Sequence, residues 1–225
     1  MRFEKNIAEI FGGPYFEWLK QQEPLRSTEL FAQGSSAMLF QKDGHLYRLT
    51  RDGCGHNFLA REAVQGNPQV MRILQDFGAV APSDEDSLNS GEEFYWLAEV
   101  EWLDELDHQE TTIQRLIALL EELSEGETLV MEPDLPVLIE RCHSMAERFS
   151  EFAPLLQTLA KAAHFGADAD VSISNIMRRP STGELVWSDP LFGASYLPDV
   201  QRLDRMMAIR REIELGTREL DHSRM

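Results

Sequence analysis

The spacing of apolar residues changes period near residue 110, and this constrains the fold more than any other feature of the chain. Before that point the chain reads as strands. Residues 29–33 and 37–40 are two extended runs around Gly34-Ser35-Ser36. Asp43-Gly44 is a strong hairpin signal, and residues 45–50 supply the next strand. Residues 93–102, rich in aromatic and apolar side chains, suit a further strand. After residue 110 the period becomes helical. Ile113, Leu116, Ile117, Leu120 and Leu123 form one stripe that stops near Gly126. Asp134-Leu135-Pro136 opens a second helix, with Val137, Ile139, Met145 and Phe149 among its apolar positions. Pro154 begins a third, carrying Leu155, Leu156, Leu159 and Ala163 and ending near Gly166. A sheet-rich part followed by a helical part makes the expected class α+β.

The intervening segments are less regular. Residues 1–22 read as one or two short helices, with Ile7, Ile10 and Phe11 on one face and Tyr15, Phe16, Trp18 and Leu19 after Gly12-Gly13-Pro14. Residues 52–55 read as a loop, followed by a helix over about 57–65 and another over about 69–76. The acidic stretch 83–91 reads as a loop. A hairpin is expected around Thr182-Gly183, and a final charged helix over about 200–215.

Composition narrows the partners. A length of 225 residues suits one domain, or one domain with two lobes. The formal net charge of −18 argues against non-specific binding to nucleic acid or to an anionic membrane surface. It fits a basic partner, a nucleic-acid mimic, or simply a very soluble protein. A mimic predicts carboxylates in regular rows, and the sequence shows no such repeat. Two cysteines, Cys54 and Cys142, make no disulfide framework, so a reducing cytoplasm is expected. Cys54 and His56 with Cys142 and His143 match no common zinc-module spacing. No apolar run is long enough to span a membrane, and the N-terminus carries no secretion pattern.

One constellation carries chemistry. Asp170 is followed five positions later by Asn175, and fourteen after that by Asp189 at the end of an apolar run. Protein-kinase-like folds use this spacing to set a catalytic carboxylate and two magnesium ligands around ATP. Asp170 would orient or accept the attacking hydroxyl. Asn175 and Asp189 would offer oxygens, hard ligands for a hard ion. A hairpin turning at Ser181-Thr182-Gly183 would hold Asn175 and Asp189 at the same end.

These residues carry a resemblance. The helix ending Ala162-Ala163-His164-Phe165-Gly166, then Asp170…Asn175-Ile176-Met177, then Ser188-Asp189-Pro190, resembles the catalytic core of the small serine/threonine kinases of T7-type phages. The resemblance covers roughly residues 28–193 and is most specific over 170–190. It implies a compact protein-kinase-like two-lobe fold, with an antiparallel N-lobe sheet and a reduced helical C-lobe. The blocks would be an N-terminal helical extension over 1–23, an N-lobe over 24–102 and a C-lobe over 103–225. It implies ATP and Mg²⁺ as cofactors. Gly34, Ser35 and Ser36 would cover the phosphates, and Arg48 would stand where kinases carry the ATP-binding Lys. Glu62 would stand where they carry its Glu partner, and the strand bearing Glu99 and Glu101 would receive adenine on its backbone. The function implied is phosphorylation of host proteins during infection, in the host cytoplasm, with no direct nucleic-acid or membrane partner.

The chain also departs from the pattern. Arg48 replaces Lys, and its fork is bulkier than an ammonium. Asp168-Ala169-Asp170 replaces His-Arg-Asp, so the usual His brace is missing. Ser172 and Ser174 replace the family's loop His and Gly. Leu191 stands third in the Asp-Phe-Gly position, and only about 35 residues follow Asp189, too few for the usual helical platform. These departures leave a second reading open: a pseudokinase that keeps the fold and inhibits a basic host protein by binding it.

Overall fold

The computed structural model describes residues 11–83, 93–193 and 196–222, with side chains of the last helix described through Leu215. In chain order its helices and strands run α1 (Gly13–Leu19), β1 (Glu29–Gln33), β2 (Ala37–Lys42), β3 (His45–Thr50), α2 (Gly53–Val64), β4 (Ile73–Pro82) and β5 (Phe94–Val100). They continue through α3 (Thr111–Leu123), β6 (Leu129–Val130), α4 (Leu135–Arg148), α5 (Ala153–Ala163) and β7 (Asp168–Asp170). The last are β8 (Ile176–Arg178), β9 (Leu185–Trp187), β10 (Leu191–Phe192) and α6 (Val200–His222). The class is mixed α+β, as the change of period predicts. The expected helices within residues 1–10, and most of the expected 83–91 loop, lie outside the described residues.

Two compact units divide the chain. One comprises residues 1–53, 74–100 and 194–225; the other comprises 54–73 and 101–193. Both are discontinuous in sequence, unlike the contiguous blocks 24–102 and 103–225. α2 groups with the helical segment, and α6 groups with the large sheet.

The first unit is built on a five-stranded antiparallel sheet of order β1-β2-β3-β5-β4. Asp43 and Gly44 both take positive φ, 53° and 85°, the geometry that lets a two-residue turn follow the right-handed twist of β2 and β3. Met38 and Phe40, Tyr47 and Leu49, and Tyr95 and Leu97 bury one face against Phe16 and Leu19 of α1. Alternation therefore sends Leu46 and Arg48 to the other face. Phe94 and Trp96 alternate with Tyr95 and pack against Met206 and Ile209 of α6.

The second unit has one core. Leu116, Leu120, Leu138, Cys142, Leu156 and Trp187 are among its fully buried members, from α3, α4, α5 and β9. Each large apolar side chain so buried contributes about 1.5–3 kcal/mol relative to exposure. Around this core lie the sheet β10-β7-β6 and the hairpin β8-β9. Pro136 and Pro154 sit in the first turns of α4 and α5, where a missing N–H costs nothing. No helix among the described residues is long and apolar enough to cross a membrane.

Two local expectations fail. The helix expected at 57 begins at Gly53, because Cys54, His56, Phe58 and Leu59 are all buried and packing overrides the two glycines. The helix expected over 69–76 is absent. The Met71 N–H donates to the Trp187 carbonyl at 2.8 Å, and the Trp187 N–H donates to the Gln69 carbonyl at 2.9 Å. This non-local pairing consumes the backbone groups a helix needs, and β4 follows from Ile73.

Candidate functional site

Ala169, in the middle of β7, is fully buried in the second unit's core, so alternation turns Asp168 and Asp170 away from it. The Asp170 N–H donates to the Pro190 carbonyl at 3.0 Å, which ties Asp170 to the residue after Asp189. β7 and β10 then pair antiparallel, Ala169 opposite Leu191. Beyond Asp170 the chain makes a tight turn. The Ser172 N–H donates to Asp170 Oδ1 at 3.1 Å, and Ser172 Oγ accepts from the Ser174 N–H at 3.3 Å. This brings the chain to Asn175 and into β8.

The hairpin β8-β9 pairs Ile176 with Trp187, as the turn at Ser181-Thr182-Gly183 predicts. Past its open end, the Ser188 N–H and Oγ both donate to the Asn175 carbonyl, at 2.8 and 3.1 Å. Asp189 is the next residue. Two strand pairings thus bring three sequence-distant positions to one place. The Asn175 amide hydrogen-bonds to the Asp170 carboxylate, and the charge of Asp189 is close enough to act on it. Burial is the largest influence on Asp170 and raises its pKa. The Ser172 N–H and the Asn175 amide pull it down, and Asp189 pushes it up; the net direction is up.

The donor set suits a divalent ion with hard-oxygen preference. Asn175 gives its N–H to Asp170, which leaves its amide oxygen as the acceptor end. Asp189 adds a carboxylate. Among the described residues no group of three or more His, Cys, Asp or Glu gathers, so the set is two carboxylates with one amide. Asp168 accepts from the Glu132 N–H at 2.9 Å and anchors the short 3-10 turn Glu132–Asp134.

The other expected residues fall in different surroundings. In the first unit, Arg48 is buried in β3 opposite Leu39 and Ala98. The Gly34-Ser35-Ser36 loop is closed by Gly34 N–H donating to the Ala37 carbonyl at 2.8 Å. Thr50 Oγ1 also donates to the Ser36 carbonyl at 2.8 Å. Glu99 lies 2.7 Å from His45 Nδ1. In the second unit, Glu62 is buried, accepts from Asn67 Nδ2 at 2.9 Å and lies 3.5 Å from Lys161 Nζ. The Glu101 N–H donates to the Arg72 carbonyl at 3.1 Å, and its carboxylate accepts from the Arg72 N–H.

The residue that sequence reasoning missed is Arg179. It is 1% exposed, and its five N–H groups all find acceptors. Nε and Nη2 donate to the two oxygens of Glu101, Nη1 to Glu184 and the Pro68 carbonyl, and Nη2 also to the Val70 carbonyl. This guanidinium joins the end of β8 to the 68–70 segment and to Glu101. In the sequence it is one of two adjacent arginines before a Pro-Ser-Thr-Gly turn, the usual look of solvated charge, and nothing local marks it.

No protein-family model matches the chain, and no curated protein matches it.

Proposed function

We propose that the chain is an ATP- and Mg²⁺-dependent phosphotransferase of protein-kinase-like two-lobe fold, acting on serine or threonine hydroxyls of proteins. The observation that carries this reading is the convergence of Asp170, Asn175 and Asp189. Phosphoryl transfer asks mainly for positioning and charge stabilisation. Asp170, with its carboxyl raised by burial, would accept the hydroxyl proton as the bond to phosphorus forms. Asn175 and Asp189 would hold the ion, which when bound neutralises charge on the phosphates. In this reading Arg48 and the Gly34-Ser35-Ser36 loop serve the phosphates, Glu99 and Glu101 mark the adenine-receiving strand, and Glu62 is the partner position on α2.

The test is transfer of radiolabel from γ-labelled ATP to the protein itself, to a basic substrate protein or to a bacterial lysate. Transfer by wild type that falls 10²–10⁴-fold, as an order of magnitude, in Asp170→Ala supports the reading. No transfer by wild type, or equal transfer by the variant, overturns it.

A second reading, an acidic pseudokinase that binds and inhibits a host protein, draws on one observation. The Glu62 carboxylate is already engaged by Asn67 and Lys161. Nucleotide-induced thermal stabilisation without any label transfer would favour it.

A further inference from the structure

A groove of about 410 Å³ runs between the end of α3, β6 and the first turns of α4, within the second unit. Its floor is apolar: Leu129 and Val130 of β6 and Leu138 of α4. Met131 and Val137, on the same groove, are 52% and 48% exposed and add apolar surface beside that floor. The rim is acidic, with Glu125, Glu127 and Asp134. Among the described residues the one cation on it, Arg141, is held by the Glu125 carboxylate and donates to the Leu123 carbonyl at 3.3 Å, so it does not offset the other two acids. Among the described residues β6 is also the last strand of its sheet, paired on one side only, Leu129 opposite Asp170 and Val130 opposite Ala169.

We propose that this groove docks a short extended peptide segment of a partner protein, with one or two aliphatic anchors flanked by Lys or Arg. Three features select that occupant together. The apolar floor and the exposed Met131 and Val137 take the anchors. Glu127 and Asp134 attract the flanking cations, and like charge repels an acidic segment. The open edge of β6 offers main-chain hydrogen bonds to a chain lying extended beside it. A chain so docked is one strand away from Asp170. The docking site is separate from the Asp170-Asn175-Asp189 cluster and stands whether or not that cluster transfers phosphate.

The probe is an array of immobilised decapeptides with one position fixed and the rest randomised, read with the full-length chain. The expected result is selection of Lys or Arg within a few positions of Leu, Ile, Val or Met. Glu127→Lys with Asp134→Lys should weaken the basic selection at least tenfold. Met131→Ser with Val137→Ser should erase the aliphatic selection. All four positions are exposed, so the variants should melt as wild type does. Asp204→Lys with Glu212→Lys on α6 makes the same change in net charge and should leave selection intact. Asp189→Ala should also leave it intact. Absence of selection, selection of acidic residues, or equal loss in the α6 variant overturns the proposal. A dimer in sedimentation that Met131→Ser with Val137→Ser converts to monomer would assign the groove to a second copy, and also overturns it.

Discussion

Arg179 and Glu101 meet fork to fork. Nε donates to Oε2 at 2.9 Å and Nη2 to Oε1 at 2.8 Å, with Arg179 1% exposed and the Glu101 side chain 12% exposed. Glu101 directly follows β5, and Arg179 directly follows β8, so this pair fixes the hairpin that Asn175 leads into and that leads to Asp189.

Arg179→Ala should therefore destabilise the protein by about 3–5 kcal/mol, because Glu101 would be left as an uncompensated, nearly buried charge. Arg179→Lys keeps the charge but loses the bidentate geometry, and should cost on the order of 2 kcal/mol. Urea denaturation measures both. A loss below about 0.5 kcal/mol for Arg179→Ala would mean the pair is only a surface ion pair.

Replacing Asp170 by Asn should stabilise the fold at neutral pH while abolishing any transfer. Burial raises the carboxyl above its ordinary value of 3.8, so the folded state holds the proton more tightly than the unfolded chain. That contribution is present in full below the unfolded value and is lost as pH rises through the folded one. As pH rises the wild type takes on the ionised form that burial disfavours, and Asp189 adds repulsion. The variant should melt about 1–2 °C higher at pH 7, with the gap closing towards pH 4. Parallel melts at the two pH values decide it; a variant less stable at pH 7 would show that the hydrogen bonds from Ser172 and Asn175 outweigh the burial.

Much of this was legible in the sequence, for physical reasons that differ by element. α3, α4 and α5 declare themselves through local stripes and first-turn prolines. β2 and β3 do so through Asp43-Gly44. The nearness of Asn175 to Asp189 is legible because one short hairpin joins them, and Asp170 lies only a tight turn before Asn175. The 69–71 segment was not legible, because its backbone partners sit at Trp187, more than a hundred residues away. Nor was Arg179, whose acceptors come from three separate stretches. The two-residue strands β6 and β10 carry too little pattern to stand out, yet β6 forms part of the floor of the proposed docking groove.

Gly78→Ala should loosen α6 from the sheet. Gly78, in β4, holds φ at +69°, and the Arg202 guanidinium of α6 lies where a Cβ would go. Strain in the left-handed region and displacement of Arg202 act together, and the cost should reach about 1–2 kcal/mol or more. Hydrogen exchange should localise the effect: faster exchange in α6, with α4 and α5 unchanged. Uniform acceleration across both would show that α6 does not open separately.

Mg·ATP should raise the melting temperature, and Asp189→Ala should remove most of that rise. At about 100 times its dissociation constant a ligand adds about 2.7 kcal/mol. For a chain of this length that corresponds to roughly 5–10 °C. The comparison is internal to each variant, with and without Mg·ATP, so a change in the apo protein's own stability does not enter. Asp189→Ala removes the charged metal oxygen and leaves the Asn175 amide, a poor ligand on its own. Arg48→Ala should reduce the shift less, because it would remove a phosphate contact and leave both metal ligands. A shift that survives Asp189→Ala in full, or one unchanged by omitting Mg²⁺, would mean that nucleotide binds away from the Asp170-Asn175-Asp189 cluster, and the metal assignment would fall with it.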